Sequence, residues 1–305
     1  MGRDGDAARP ELIVRARGLT ARYRERVALD GLDLDVAPGE TIGILGPNGA
    51  GKTTALRLLR VAAAHLRLGI AGDDLIHIDA LTGFENALGF AMAAGLPRTE
   101  AARRVTTLLG TFSLAADAHR PVAEYSQGMR RRLLLLEALA HDPALIILDE
   151  PTSGLDPEGR AVLSTVLKQR TAAGAAVVLA TNDLGAAERL CDRVLFLSAG
   201  RPVLEGRPAE LIARLGGATR FEFTIEADRA PQVRVVGAEI VLATPQKLVA
   251  HARNGVRGSG FGGASPLPAL CEAILADGAA IEAVAVRRPD LGDVYLQATG
   301  QELRA

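Results

Sequence analysis

Residues 41–54 read TIGILGPNGAGKTT, and the fold turns on this stretch. The apolar segment 41–45 suits a short buried strand, and the glycine-rich turn after it opens a helical pattern at Lys52. Strand, GxxxxGK[ST] and helix in that order make a phosphate-binding loop. The loop runs through Gly46, Pro47, Asn48, Gly49, Ala50, Gly51, Lys52, Thr53 and Thr54. Its glycines let the backbone fold tightly, so that successive N–H groups turn inward at phosphate oxygens. The helix N-terminus adds partial positive charge. Lys52 can then reach the β- and γ-phosphates, and the Thr53 hydroxyl can ligate Mg²⁺. With 33 glycines but only three lysines (Lys52, Lys168, Lys247) in 305 residues, chance supplies roughly 0.003 such matches.

A second acidic element belongs with this loop. Residues 145–148 (LIIL) read as a buried strand that runs into Asp149 and Glu150. Such a pair alone is equally a solvated strand end. On a parallel sheet beside a phosphate loop, Asp149 suits Mg²⁺ through water, and Glu150 suits polarising the attacking water. The ligand is expected at the carboxyl ends of the strands.

Around these motifs the chain divides. Residues 12–28 alternate as edge strands do, and Leu32, Leu34 and Val36 continue the alternation. A helix is expected from Lys52 to about Leu68, and a nearly continuous helical stretch from Thr82 to His141, broken at Pro97 and Pro121. Residues 177–180 give another buried strand, with a helix over 159–173 before it. Buried strands alternating with helices mean an α/β domain with a parallel sheet, here over 11–217, with an inserted helical subdomain over about 75–141. From 218 to 305 the pattern changes to a small α+β accessory domain. It holds a strand over 221–225, strand-like pieces over 234–243, a helix over 267–276 and a strand over 281–286. Residues 255–263 (GVRGSGFGG) read as a linker, since no GK[ST] follows them.

Composition narrows the class. The chain is 48% hydrophobic and only 3% aromatic, so its core must be aliphatic. No apolar run approaches the ~20 residues of a spanning helix, and residues 1–12 lack the apolar region of a secretory signal. Two cysteines, Cys191 and Cys271, suit a reducing compartment. A net charge of −1 gives no overall attraction to nucleic acid, and none is expected as a partner.

Three further stretches, YSQGMRRR (125–132), EPTSGLDP (150–157) and ERLCDRV (188–194), stand in the order found in ABC-transporter ATP-binding subunits. Over about residues 11–210 the chain resembles that family. It looks most like the ABC-2-type, daunorubicin-resistance-like exporter ATPases, as does its tail over 287–304. The resemblance implies ATP and Mg²⁺ as ligands, and a separate multispanning membrane permease as partner. It also implies a dimer of ATP-binding domains with composite sites, held at the cytoplasmic inner face of the plasma membrane. By it, Tyr23 stacks on adenine, although the position also suits a plain edge-strand tyrosine. Ser126, Gln127 and Gly128 form the signature that faces the opposite subunit's γ-phosphate, and Asp156 communicates between sites.

Two positions depart from the family. Asn182 stands where the switch histidine is expected, and an amide cannot become cationic. Asp73 aligns with the Mg²⁺-linked glutamine, only 20 residues (53–72) beyond Lys52, so a piece of the usual sheet is expected to be missing. Gln127 replaces the commonest signature glycine. Two expectations stand side by side: an ordinary transport ATPase, and a slow, regulatory half of an asymmetric pair. A soluble ABC protein acting on DNA or the ribosome is a third class, but the tandem domains or long coiled coil usual there are missing. The accessory domain suits a dimerisation or docking module, or else a ligand sensor.

Overall fold

The structure is a computed structural model that describes residues 12–24, 26–72, 77–215, 219–252 and 265–303. Two compact units divide the chain, Met1–Glu205 and Gly206–Ala305.

In the first unit, β1 (Val14–Tyr23) and β2 (Arg26–Val36) pair antiparallel as a hairpin. There follow β3 (Thr41–Leu45), α1 (Lys52–Ala62) and β4 (Leu68–Ala71), then the helices α2 (Gly83–Ala93), α3 (Arg98–Thr111) and α4 (Gln127–Leu139). The unit continues through β5 (Leu145–Asp149), α5 (Pro157–Ala172), β6 (Ala176–Thr181), α6 (Leu184–Leu190), β7 (Arg193–Ser198) and β8 (Arg201–Gly206). The six-stranded sheet has the order β4-β5-β6-β3-β7-β8, and β3 runs parallel to both neighbours. β3 and β6 are buried at every residue, β5 at every residue before Asp149. That is why their sequences are unbroken apolar runs rather than alternations. β8 lies at the edge and is mostly exposed, a position in a sheet where a proline such as Pro202 is tolerated.

Two sequence expectations are corrected here. The helix from Lys52 ends at Ala62, and residues 68–71 form a strand parallel to β5. The pattern 55–68 keeps a helical period, so only tertiary pairing reveals the strand. Gly69 makes that pairing possible: a Cβ there would sit 2.1 Å from the Ala138 carbonyl of α4. The helical stretch is also less continuous than read. Residues 112–126 hold only two short 3₁₀ turns, with Pro121 opening the second. Thr82 caps α2 through a reciprocal box with Glu85, and Ser126 caps α4 by accepting from the Met129 N–H at 3.2 Å.

The second unit holds α7 (Pro208–Ala213), β9 (Thr219–Glu226), β10 (Ala238–Ala243), β11 (Lys247–Ala252), α8 (Leu267–Ala276), β12 (Ala280–Arg287) and α9 (Leu291–Thr299). Its antiparallel sheet has the order β10-β11-β9-β12. Phe221, Phe223 and Ile225 bury one face of β9 against Leu270 and Ile274 of α8. On β9 the Arg220 guanidinium pairs with Asp293 of α9, and Asp293 is fully buried. His251 of β11 meets the same carboxylate at 3.0 Å, and Glu222, Lys247 and Glu302 extend the network. The linker read over 255–263 lies outside the described residues.

Candidate active site

The loop between β3 and α1 has the backbone that its glycines foretell. Gly46 and Gly51 take φ of 156° and 104°. A Cβ on either would come within 2.4 Å of a carbonyl oxygen, that of Leu197 or of Ala28. Only glycine fits such approaches. Gly51 caps α1 in the left-handed region, so the loop delivers its chain directly onto the helix N-terminus.

Lys52, the first residue of α1, is buried with its ammonium turned back into the loop. Nζ donates to the Gly46 carbonyl at 2.8 Å and to that of Pro47 at 3.3 Å, and lies 3.6 Å from Glu150 Oε1. Thr53 Oγ1 donates to Asp149 Oδ2 at 2.6 Å. The loop and the end of β5, almost a hundred residues apart in sequence, are thus already in contact through the side chains expected to handle phosphate and cation.

Glu150 follows β5 in a left-handed conformation, φ 45°. For a non-glycine residue this costs on the order of 1–3 kcal/mol, so the surroundings must enforce it. Its N–H donates to the Ala180 carbonyl at 2.8 Å. The Arg131 guanidinium of α4 donates to the carbonyls of both Asp149 and Glu150. Glu150 Oε2 accepts from Thr181 Oγ1 at 2.9 Å and from the Asn182 backbone N–H at 3.3 Å. The residue at the switch position therefore reaches the acid through its main chain, which any side chain would allow.

A cleft of about 470 Å³ joins Tyr23, Arg26 and Ala28 of the β1–β2 hairpin to residues 47–54 and to Asp149 and Glu150. Tyr23 is 55% exposed, so its ring face is free for a planar ligand. Arg26, its cross-strand partner, donates to the Gly49 carbonyl at 3.4 Å. Sequence reasoning passed over Arg26, because nothing local marks it. Gly46 takes part through the carbonyl that holds Lys52. Ser126, Gln127, Gly128, Asp156 and Asn182 do not line this cleft. Asp156 caps α5 through the Gly159 N–H and forms a two-oxygen ion pair with Arg132 at 2.7 and 2.8 Å. The guanidinium holds the Asp156 carboxyl below its usual range. Arg131 and Arg132, quoted in the motif over 125–132 but given no role, tie the signature helix to β5 and to α5. Asp73 lies outside the described residues.

The hydroxyl of Thr53 beside the carboxylate of Asp149 is an all-oxygen donor pair, which suits a hard cation that keeps most of its own ligands. Among the described residues no cluster of three or more His, Cys, Asp or Glu could hold a metal. The pair would supply two oxygens to such a cation, with phosphates and water completing its shell.

Parallel sheet, phosphate loop and acidic strand end define a P-loop nucleotide-binding ATPase. Comparison with known proteins makes this narrower. The ABC transporter family model matches residues 29–153. The daunorubicin resistance ATP-binding protein DrrA2 of Streptomyces coeruleorubidus is 35% identical, over 94% of this chain and 95% of its own. The Nod factor export ATP-binding protein I of Ralstonia nicotianae is 34% identical, over 96% and 95%. Among solved structures, an ATP-binding subunit of an ABC transporter superposes with a TM-score of 0.61 at 27% identity, covering 68% of this chain and 94% of that one. The chain belongs to the ABC transporter ATP-binding subunits, and it is an ABC-type ATPase. Among the described residues no helix is long and apolar enough to cross a membrane.

Proposed function

We propose that this chain powers export through a separate multispanning membrane subunit, with two ATP-binding domains closing on ATP·Mg²⁺ at composite sites. It would sit peripherally on the cytoplasmic face of the membrane through that partner. The observation that carries the reading is the meeting of Lys52, Thr53, Asp149 and Glu150 in one cleft with Tyr23. The names of the relatives, drug resistance and Nod factor export, support the direction of transport.

The roles follow from the chemistry of each group. Tyr23 stacks on the base. The loop N–H groups and Lys52 neutralise the phosphates, Lys52 leaving Glu150 for the γ-phosphate as the nucleotide enters. Thr53 and Asp149 hold Mg²⁺, which supplies charge neutralisation at the phosphates when bound. Glu150 orients and deprotonates the attacking water, its Oε2 fixed by Thr181 and Asn182. The signature residues Ser126, Gln127 and Gly128, at the N-terminus of α4, serve the partner's nucleotide. Their position outside the chain's own cleft supports this division. Asp73 is proposed as a further Mg²⁺-side ligand.

A second reading is that of a slow, regulatory subunit in an asymmetric pair. It is favoured by Asn182, which offers the transition state no cation. Co-purification with a multispanning protein, together with ATP turnover of the purified chain, tests both. Brisk Glu150-dependent turnover by a homodimer rejects the regulatory reading. Failure to associate with any membrane protein rejects the transport reading.

A further inference from the structure

The strongest unexplained group in the ATPase unit is a buried pair on and beside the signature helix. His77 and Glu137 have side chains only 8% and 3% exposed, with Nδ1 and Oε2 3.3 Å apart. The imidazole Nε2 lies 3.1 Å from the Arg130 carbonyl. A carbonyl only accepts, so Nε2 carries a hydrogen. Nδ1 and the carboxylate then face each other, and that contact is attractive only if one proton lies between them. Without it, an imidazole lone pair would meet a buried carboxylate. Among the described residues neither Nδ1 nor either Glu137 oxygen makes an aligned hydrogen bond, so the 3.3 Å contact joins them as an ion pair.

The ring spans two turns of α4, from Arg130 to Glu137. It thereby clamps the chain at His77 onto the helix whose first residues are the signature and whose Arg131 grips the Asp149 and Glu150 carbonyls. We infer that His77 and Glu137 are positioning residues that share a single proton, and that this proton holds the signature helix in register with the acidic end of β5. This goes beyond the transport reading and does not depend on what is exported.

The charged groups facing the ring are Glu137 and Arg130 on α4, and Arg130 is itself paired with Asp79 at 2.6 Å. Burial opposes a charged imidazole, yet Glu137 more than offsets it and holds His77 above its usual value. Burial likewise pushes the Glu137 carboxyl up. Both shifts keep the proton on the pair as pH rises. For a raised histidine the contribution is complete below about 6.5. It is lost as pH climbs through the folded value.

The test compares kcat of the full chain at saturating ATP from pH 6 to 9 with that of Glu137→Gln. The amide donates to Nδ1 without titrating. Wild-type turnover is expected to fall about fivefold more than the variant's across the alkaline half of that range, with KM for ATP unchanged in both. Parallel profiles would overturn the proposal. If the variant does not fold, ¹⁵N spectra of the five histidine rings in the wild-type chain, assigned with His77→Gln, read the same proton without turnover. An Nε2–H ring titrating above the ordinary value supports the inference, and titration at or below it overturns it. A chain that proves inactive in transport leaves this second measurement intact.

Discussion

The two units bury charge in opposite ways. In the carboxyl-terminal unit, Arg220, Asp293 and His251 close on one another, with Glu222, Lys247 and Glu302 around them. In the ATPase unit, Lys52 is held by two loop carbonyls with Glu150 at 3.6 Å, and Thr53 is paired with Asp149. Among the described residues the first network pairs its charges with one another. The second is a set of provisional pairings, each of which a phosphate or cation can replace. Burial of charge alone thus does not mark a functional site. What marks it is a partner that can be exchanged, opening on a cleft.

The contrast can be broken experimentally. Glu150→Gln is expected to lower ATP turnover by about 10²–10⁴-fold while nucleotide binding, measured by fluorescence titration, persists. Loss of binding with it would place Glu150 in the ligand shell rather than in the chemistry. Asp293→Ala should instead spare the nucleotide affinity and destabilise the carboxyl-terminal unit by up to about 3 kcal/mol in chemical denaturation, because His251 loses its carboxylate and the buried Arg220 keeps only Glu222 and Glu302. Unchanged unfolding would show that the network is dispensable. Acid probes the same carboxylate. Burial works against its charge, but His251 and Arg220 outweigh that and hold its pKa down to about 2. The sign follows for a depressed acid: its contribution is complete above its unfolded value and disappears as pH falls toward 2. An unfolding midpoint that is flat across that window rejects the pairing.

Smaller effects sharpen the ATPase side. Arg131→Ala removes the clamp on the Asp149 and Glu150 carbonyls, and should cost about tenfold in kcat with little change in KM. Asn182→His restores a titratable donor at the switch position. A gain of up to about tenfold in kcat would show that this position limits chemistry, and no gain would remove it as the cause of slow turnover.

Much of the site was legible in the sequence because its signal is local. Nine consecutive residues define the phosphate loop, and an apolar run ending in Asp149-Glu150 marks the strand end. What stayed hidden depends on residues far apart. The helical pattern read from Lys52 runs on to about Leu68, the first residue of β4, and the strand shows itself only by pairing with β5. β11, with residues 248–252 buried, lacks the alternation that exposed β9. Arg26 and Arg131 have sequence contexts like those of many other arginines in the chain, and only the fold brings them to Gly49 and Glu150. The His77–Glu137 pair joins positions 60 residues apart, so no periodicity could announce it.

The left-handed backbone at Glu150 ties durability to chemistry. Glycine there would relieve the strain, but it would leave Thr181 and the Asn182 N–H without the oxygen they now share. It would also delete the carboxylate. The strained backbone is thus kept in place by the same carboxylate contacts that aim Glu150 into the cleft, so stability and aim are set together at one position.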